Sequence, residues 1–368
     1  MNEEKKRILK LVEEGKITSA EALTLLELLE EEQKQKDTKE KEIIHEVASV
    51  VRLDEEEKEQ KDEQQYRERK VSSAKDFLFD LVDSVVTKVK DLELNLTKST
   101  EVTHIYQDLS TDFTDINIEA ANGSVELYTW EEDSVKVEVD AKVYRTDQPE
   151  EARKLLDQEV TLDIRNGRLQ YLVGQKWMRV NSKIFIPKSE YRKVKISLFN
   201  GGVTVQELTF DSLQAKTANG KIVLAKLNGH DLDAETANGN IEVSESMVDK
   251  IECETINGAV NSQAVFKEAE METFNGLIQV EGFNGQAKLL KAKSASGSIQ
   301  IKIPQGIYAR GEVKANLGGL HLDAMGMKVT EEKKEVIQKF IKFENENPDS
   351  FYVFAESKTA SVSVLQEK

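Results

Sequence analysis

Four histidines, His45, His104, His230 and His321, and one cysteine, Cys253, are the chain's strongest metal ligands and nucleophiles. The histidines are scattered, with no partner at ligand spacing. A single cysteine excludes an internal disulfide and a cysteine metal cage. Cys253 falls where aligned segments carry Ala215 and Ala234, which reads as a buried small apolar filler rather than a nucleophile. Asp231, Asp233 and Glu235 alternate with Leu232 and Ala234, so their carboxylates share the outer side of one strand. Calcium chemistry would need a glycine-bearing acidic loop, which is absent there, so a solvated face is the reading. No phosphate-binding loop, serine elbow or paired-acid arrangement occurs, and every glycine belongs to a turn. The residues therefore indicate no enzyme, catalytic site, cofactor or metal.

The elements that would carry such residues are written in two styles. Residues 1–32 read as a helical hairpin, with Ile8, Leu11 and Val12 on one stripe and Gly15 as the stop. "TSAE" (Thr18 to Glu21) is a capping box, and Ala22, Leu23, Leu26 and Leu29 form the second stripe. So short a hairpin must dock on something or self-associate into a homo-oligomer. Residues 33–71 read as a charged helical linker. Over 31–70 there are 24 charged residues in 40, interrupted only by Ile43, Ile44, Val47, Val50 and Val51. That pattern gives a solvated helix with a short apolar seam. Residues 72–96 form an amphipathic helix with Leu78, Leu81, Val82, Val85 and Val89 on one stripe. Acids dominate its early polar face and Lys88 and Lys90 come late, which favours docking on the protein's own β domain over peripheral membrane contact.

From residue 97 to 368 a period of two replaces the helical period, apart from the short helix "PEEARKLLDQ" at 149–158. One motif recurs: "INIEAANGSVEL" (116–127), "VKISLFNGGVTV" (194–205), "LQAKTANGKIVL" (213–224) and "LDAETANGNIEV" (232–243). It continues as "IECETINGAVNS" (251–262), "AEMETFNGLIQV" (269–280) and "LKAKSASGSIQI" (290–301). From Asn200 the spacing is 19, 19, 19, 18 and 21 residues, with Ser296 in the last asparagine's place. A fixed period near 20 marks stacked repeats. Residues such as Leu213, Ala215 and Thr217 before the turn, and Ile222 and Leu224 after it, give two half-buried strands meeting at Asn-Gly. A parallel β-solenoid follows, with an antiparallel sandwich or meander as the alternative. In the solenoid, Asn219, Asn238, Asn257 and Asn275 stack, and so do the threonines at 217, 236, 255 and 273. The turn is expected to need φ > 0, so Gly239→Val should cost more than about 1 kcal/mol. "IFIPKSEYRKVKISLFNGGVTV" (184–205) is echoed by "IKIPQGIYARGEVKANLGGLHL" (301–322), and "KTASVSVL" (358–365) reads as the end rung. The fold class is thus α and β in separate domains.

With 68 acidic against 51 basic residues the net charge is −17, which argues against a nucleic-acid partner. The N-terminus has no signal-type apolar run and no stretch reaches 18 apolar residues, so the expected location is cytoplasmic or peripheral to the membrane.

The hairpin "ILKLVEEGKITSAEALTLLELLE" (8–30), followed by "IFIPK" and the T-x-N-G-x-I-x-V repeats, resembles the YvlB/LiaX proteins of Gram-positive bacteria. In these a short helical domain precedes an adhesin-like β-strand repeat domain. The resemblance implies a non-enzymatic role in the cell-envelope stress response governed by a Lia-type three-component system. It also implies resistance to membrane-active antimicrobial peptides, and exposure at the cell surface. Partners would be envelope-stress signalling proteins and cationic antimicrobial peptides, which an acidic surface attracts by long-range steering. An adhesin or structural scaffold of the surface is the other function class.

Overall fold

The computed structural model describes residues 3–51, 99–144, 146–335 and 337–367. The expected helix at 72–96 and the linker beyond residue 51 lie outside them. The chain forms two units, Met1–Lys41 with Lys221–Lys368, and Glu42–Gly220.

In the first unit, helix α1 (Glu3–Glu13) turns at Gly15, whose φ of +68° is left-handed, into helix α2 (Ser19–Ala48). The capping box forms reciprocally. The Glu21 amide donates to Thr18 Oγ1 at 3.2 Å and the Thr18 amide to Glu21 Oε2 at 2.7 Å. Ile8, Ile17, Ala22, Leu25 and Leu29 are buried together and pack against Leu317 and Ile337, so the hairpin docks on the β domain. Leu25 takes the inward place expected of Leu23, which is 58% exposed. Lys16 holds the Glu14 carboxyl below its ordinary value, the Thr18 amide and hydroxyl do so for Glu21, and Lys5 for Glu30. Carboxyls depressed in the fold contribute stability above their unfolded value of 4.5, and it is lost as pH falls through the folded value. Amide protection in residues 3–34 should therefore drop below about pH 4, measured by hydrogen exchange.

The rungs of this unit are parallel. One face runs Asn228–Asn238, the second half of Ile241–Asn257, Glu268–Asn275, Leu289–Ser294, Phe351–Ser357 and Ala309–Ala315. The other runs Ile222–Ala225, the first half of Ile241–Asn257, Val260–Val265, Ile278–Glu281, Ile299–Ile303, Val362–Gln366 and Leu320–Asp323. The β-solenoid reading holds. Alternate residues such as Leu232, Ala234, Ile251 and Met271 meet Ile241, Val260 and Ile278 in the core, all buried. The C-terminal strands are not the end rung. They insert between 289–303 and 309–323, because the hairpin Met327–Lys334/Lys339–Asn345 pairs antiparallel with the outer edge of Ala309–Ala315 and carries the chain back inside. The edge left over is Met327–Lys334, where Glu331, Glu332, Lys333 and Lys334 discourage further pairing.

The asparagines stack as the period requires. Asn257 Nδ2 donates to Asn238 Oδ1 at 2.8 Å, Asn275 to Asn257 at 2.8 Å, and Ser296 Oγ to Asn275 at 2.6 Å. The threonines stack in register too, Thr236 opposite Thr255 and Thr255 opposite Thr273, but bond differently. Thr255 and Thr273 donate to the carbonyls of Gly239 and Gly258 in the neighbouring rung, at 2.8 and 2.9 Å, rather than to one another. The glycines also differ from expectation, since Gly258 and Gly276 are not left-handed. A Cβ on Gly258 would lie 1.9 Å from the Gly239 carbonyl oxygen, and one on Gly276 1.8 Å from that of Gly258. Close approach of successive rungs, not φ, selects glycine there.

Positive φ is found at the turn glycines Gly123 and Gly201 (117° and 150°), and left-handed backbone also occurs after the second strand, at Glu207, Lys226 and Glu245, 19 residues apart (φ 59°, 55° and 49°). Glu245 is a bulge, because Ser244 pairs with Gln263 and Ser246 with Ala264. The neighbouring rung omits that residue, which is why the next asparagine spacing is 18. An L residue held left-handed costs about 1–2 kcal/mol. Glu245→Gly should thus raise stability by roughly 0.5–1 kcal/mol, read from denaturant midpoints.

In the unit Glu42–Gly220, Phe113–Asn122 lies between Gly167–Val173 and Glu190–Asn200, and Thr209–Asn219 follows, all parallel. Val125–Trp130 lies likewise between Met178–Pro187 and Val203–Gln206. Here too the end rung is out of sequence order, and antiparallel strands Val160–Arg165 and Val135–Val143 cover its edges. Asn200 donates to Asn122 and Asn219 to Asn200, so this unit has an amide column of its own, at 3.0 and 2.8 Å. The helix α3 (Pro149–Glu159) buries Ala152 and Leu156. The apolar seam of α2 is not solvated. Val47 and Val51 are buried against Ala121, Phe199 and Ala218, the residues just before the asparagines, and Lys216 Nζ reaches Glu46 at 2.7 Å.

Candidate functional site

Strand geometry makes the site. In parallel strands paired in register, equivalent outward residues form columns about one strand spacing, roughly 4.8 Å, apart. Asp233 is opposite Glu252 and Glu252 opposite Glu270. Two residues along, Glu235 is opposite Glu254 and Glu254 opposite Glu272. Two adjacent columns of three carboxylates thus line a shallow acidic cleft of about 170 Å³. Like charges at that spacing repel by roughly 1 kcal/mol per pair even at a water-like dielectric. That repulsion is what the lysines around the face must offset.

Lysines frame the face. The next rung places Lys291 and Lys293 opposite Glu270 and Glu272. Lys293 contacts Glu272 closely and Glu270 at 3.2 Å, and Lys291 reaches Glu270 at 3.5 Å. Partial burial pushes the Glu270 carboxyl up, but these two lysines outweigh it and hold the group below its ordinary value. On the other margin Lys250 pairs with Glu252 at 2.6 Å, and Lys39 of α2 reaches Glu254 at 3.2 Å. Lys39 shows how the face takes a cation, as an ammonium set on the carboxylate column.

Cys253 is 2% exposed, and burial followed by the nearby Asp233 and Glu252 charges raises its thiol far above the reactive range. Asp231, Asp233 and Glu235 face outward as expected, but two of them belong to a six-carboxylate face that one strand alone does not reveal. Glu252, Glu254, Glu270 and Glu272 were visible in the aligned repeats, five and three residues before each asparagine. Reading down those columns would have found them. His230 Nδ1 is 3.1 Å from Asp249, and His104 Nε2 is 3.7 Å from Asp157. Among the described residues no group of three or more histidine, cysteine or acidic side chains could hold a metal ion. A cleft of about 670 Å³ in the other unit brings His104 near Glu126, Glu138 and Asp140, yet His104 Nδ1 meets Arg153 at 3.1 Å instead.

This architecture is matched by known families. Residues 113–347 match the family described as Toastrack DUF4097, and residues 3–34 match a SHOCT-like domain. The chain belongs to the Toastrack family. The uncharacterized protein YvlB of Bacillus subtilis (strain 168) is 42% identical over 372 residues, covering 99% of each chain. The resemblance to YvlB-type proteins therefore spans the whole sequence, with helices first and strands after. Among solved structures, a candidate adhesin from Parabacteroides merdae is 14% identical, with 74% of this chain and 97% of that chain covered and a TM-score of 0.35. Another from Bacteroides fragilis is 10% identical, with 73% and 97% covered and a TM-score of 0.31. In this Toastrack protein the strands Thr100–Asp108, Phe351–Ser357 and Val362–Gln366 lie outside the matched residues, yet they pair with matched strands. No helix among the described residues is long and apolar enough to cross a membrane.

Proposed function

We propose that the protein acts by binding rather than catalysis, as a component of the cell-envelope stress response. The acidic columns Asp233–Glu252–Glu270 and Glu235–Glu254–Glu272 are its contact for cationic segments of membrane-active peptides. The observation carrying this is the in-register stacking of six carboxylates on one face. A face dominated by carboxylates concentrates cations by long-range attraction. The net charge of −17 extends that field.

A deletion strain should shift the concentration of cationic peptide at which envelope-stress genes are induced. The full chain should restore the original threshold, and a chain with Asp233→Asn, Glu235→Gln and Glu252→Gln should not. Induction untouched by deletion would remove the stress reading and leave an adhesive or structural role for the solenoid.

A further inference from the structure

The turn ladder changes character at the last rungs. Asn275 is followed in the stack by Ser296, then by Thr359–Ala360–Ser361 and Leu317–Gly318–Gly319, so hydroxyls and glycines replace the amide column. The missing side chains leave a cavity of about 590 Å³. Helix α1 overhangs it with Arg7, held there by Ile8 packing in the cluster that includes Leu317. An ion pair of Glu32 with Lys358 at 2.9 Å also fastens the hairpin to these rungs.

The lining is chemically one-sided. Arg7 and Lys339 are its charged groups, and Ser296, Ser298, Thr359 and Ser361 supply hydroxyls. Among the described residues no carboxylate lines it, in a chain with 68 acidic residues. Lys339 Nζ spends one donor on the Gly318 carbonyl at 2.6 Å, leaving two of its three. Ser361 Oγ accepts from the Gly319 amide at 3.2 Å, which leaves its own hydrogen to donate. Ser296 and Thr359 spend their hydrogens on Asn275 Oδ1 and the Ala295 carbonyl, so the donors for a ligand are Arg7, Lys339, Ser298 and Ser361. They surround an open space of the size that small-molecule pockets have, about 300–1,000 Å³.

We propose that this cavity binds a phosphate-type oxyanion. The planar Arg7 guanidinium offers a two-pronged contact, Lys339 a point charge, and the serine hydroxyls complete the shell. The cavity is larger than a bare phosphate, which fits either a soluble phosphorylated compound or the headgroup of a phospholipid. The overall negative charge opposes anions at long range, but screening over about 8 Å at physiological salt leaves the local donors to decide.

The full chain would be titrated with pyrophosphate by calorimetry, and separately with phosphatidylcholine vesicles with and without phosphatidylglycerol. Saturable binding of either probe is expected, weakened at least about tenfold by Arg7→Gln or Lys339→Gln, since one charge-assisted bond is worth that much. Ser298→Asp, which sets a carboxylate in the cavity and leaves both cations in place, should abolish it. Lys288→Gln, an exposed lysine that does not line the cavity, should change nothing. Pyrophosphate binding alone identifies a soluble ligand, and vesicle binding lost with the same substitutions identifies a headgroup. No saturable binding of either probe, or binding indifferent to Arg7→Gln, Lys339→Gln and Ser298→Asp in variants with unchanged melting, overturns the proposal.

Discussion

Gly258→Ala is expected to cost about 2–3 kcal/mol, and Gly258→Val more, placing them among the most damaging substitutions in the β domain. The added Cβ would lie 1.9 Å from the Gly239 oxygen and 3.1 Å from the Asn240 nitrogen, both backbone atoms of the neighbouring rung. Neither can withdraw, because the same rung is held by Thr255 Oγ1 to Gly239 O and by Asn257 to Asn238. Two comparisons isolate this mechanism. Gly285→Ala should be neutral within about 0.5 kcal/mol, since nothing lies within 4 Å of its Cβ position. At Gly167, with φ +72° and open space, asparagine should be tolerated better than alanine, because asparagine visits left-handed backbone readily. At Gly258 asparagine should be no better than alanine. Urea midpoints of the six variants decide it, and a Gly258→Asn as stable as the parent would return the explanation to φ.

The glycine case shows which parts of the structure the sequence carries openly. Period and polarity are local, so Leu213, Ala215, Ile222 and Leu224 announced inward-facing strands, and the regular return of Asn-Gly announced parallel stacking. The reason for each glycine is not local. It depends on how near the next rung comes, which only the assembled ladder shows. The same holds for Glu245. The step from 19 to 18 residues was plain in the text, but its cause, a left-handed bulge present in one rung and absent from the next, is a matter of pairing. The C-terminal strands misled for a related reason. "KTASVSVL" lacks the turn glycine and looked terminal, whereas the antiparallel hairpin at 327–345 folds the chain back inside the rung that precedes it in sequence. Helix α2 was misread in the other direction. Its charged stretch looked solvated because the apolar column that buries Val47 and Val51 is spread over Ala121, Phe199 and Ala218, scattered through the repeats. The acidic face was half visible, as one strand with three carboxylates, and needed the register to become six.

That face carries the other large expected effect. A fluorescent oligolysine peptide should bind the full chain at low salt and lose its binding near 1 M salt, where the Debye length is about 3 Å. Neutralising Asp233, Glu235 and Glu252 together should weaken binding about tenfold near physiological ionic strength. Three exposed charge contacts at roughly 0.5 kcal/mol each sum to about 1.5 kcal/mol, which is about one decade. Glu254, Glu270 and Glu272 are left in place because removing them would take Lys39, Lys291 and Lys293 off their carboxylates and unsettle the helix and the next rung, whereas Glu252 pairs with Lys250 of its own strand. The matched control neutralises Glu331, Glu332 and Glu335 on the charged hairpin, which changes net charge equally and leaves the columns intact. If both triple variants lose affinity alike, attraction is a property of the whole field and the columns have no special part. If only the column variant loses it, the carboxylates stacked by the Asn-Gly period are the contact, and the repeat that builds the fold also builds the site.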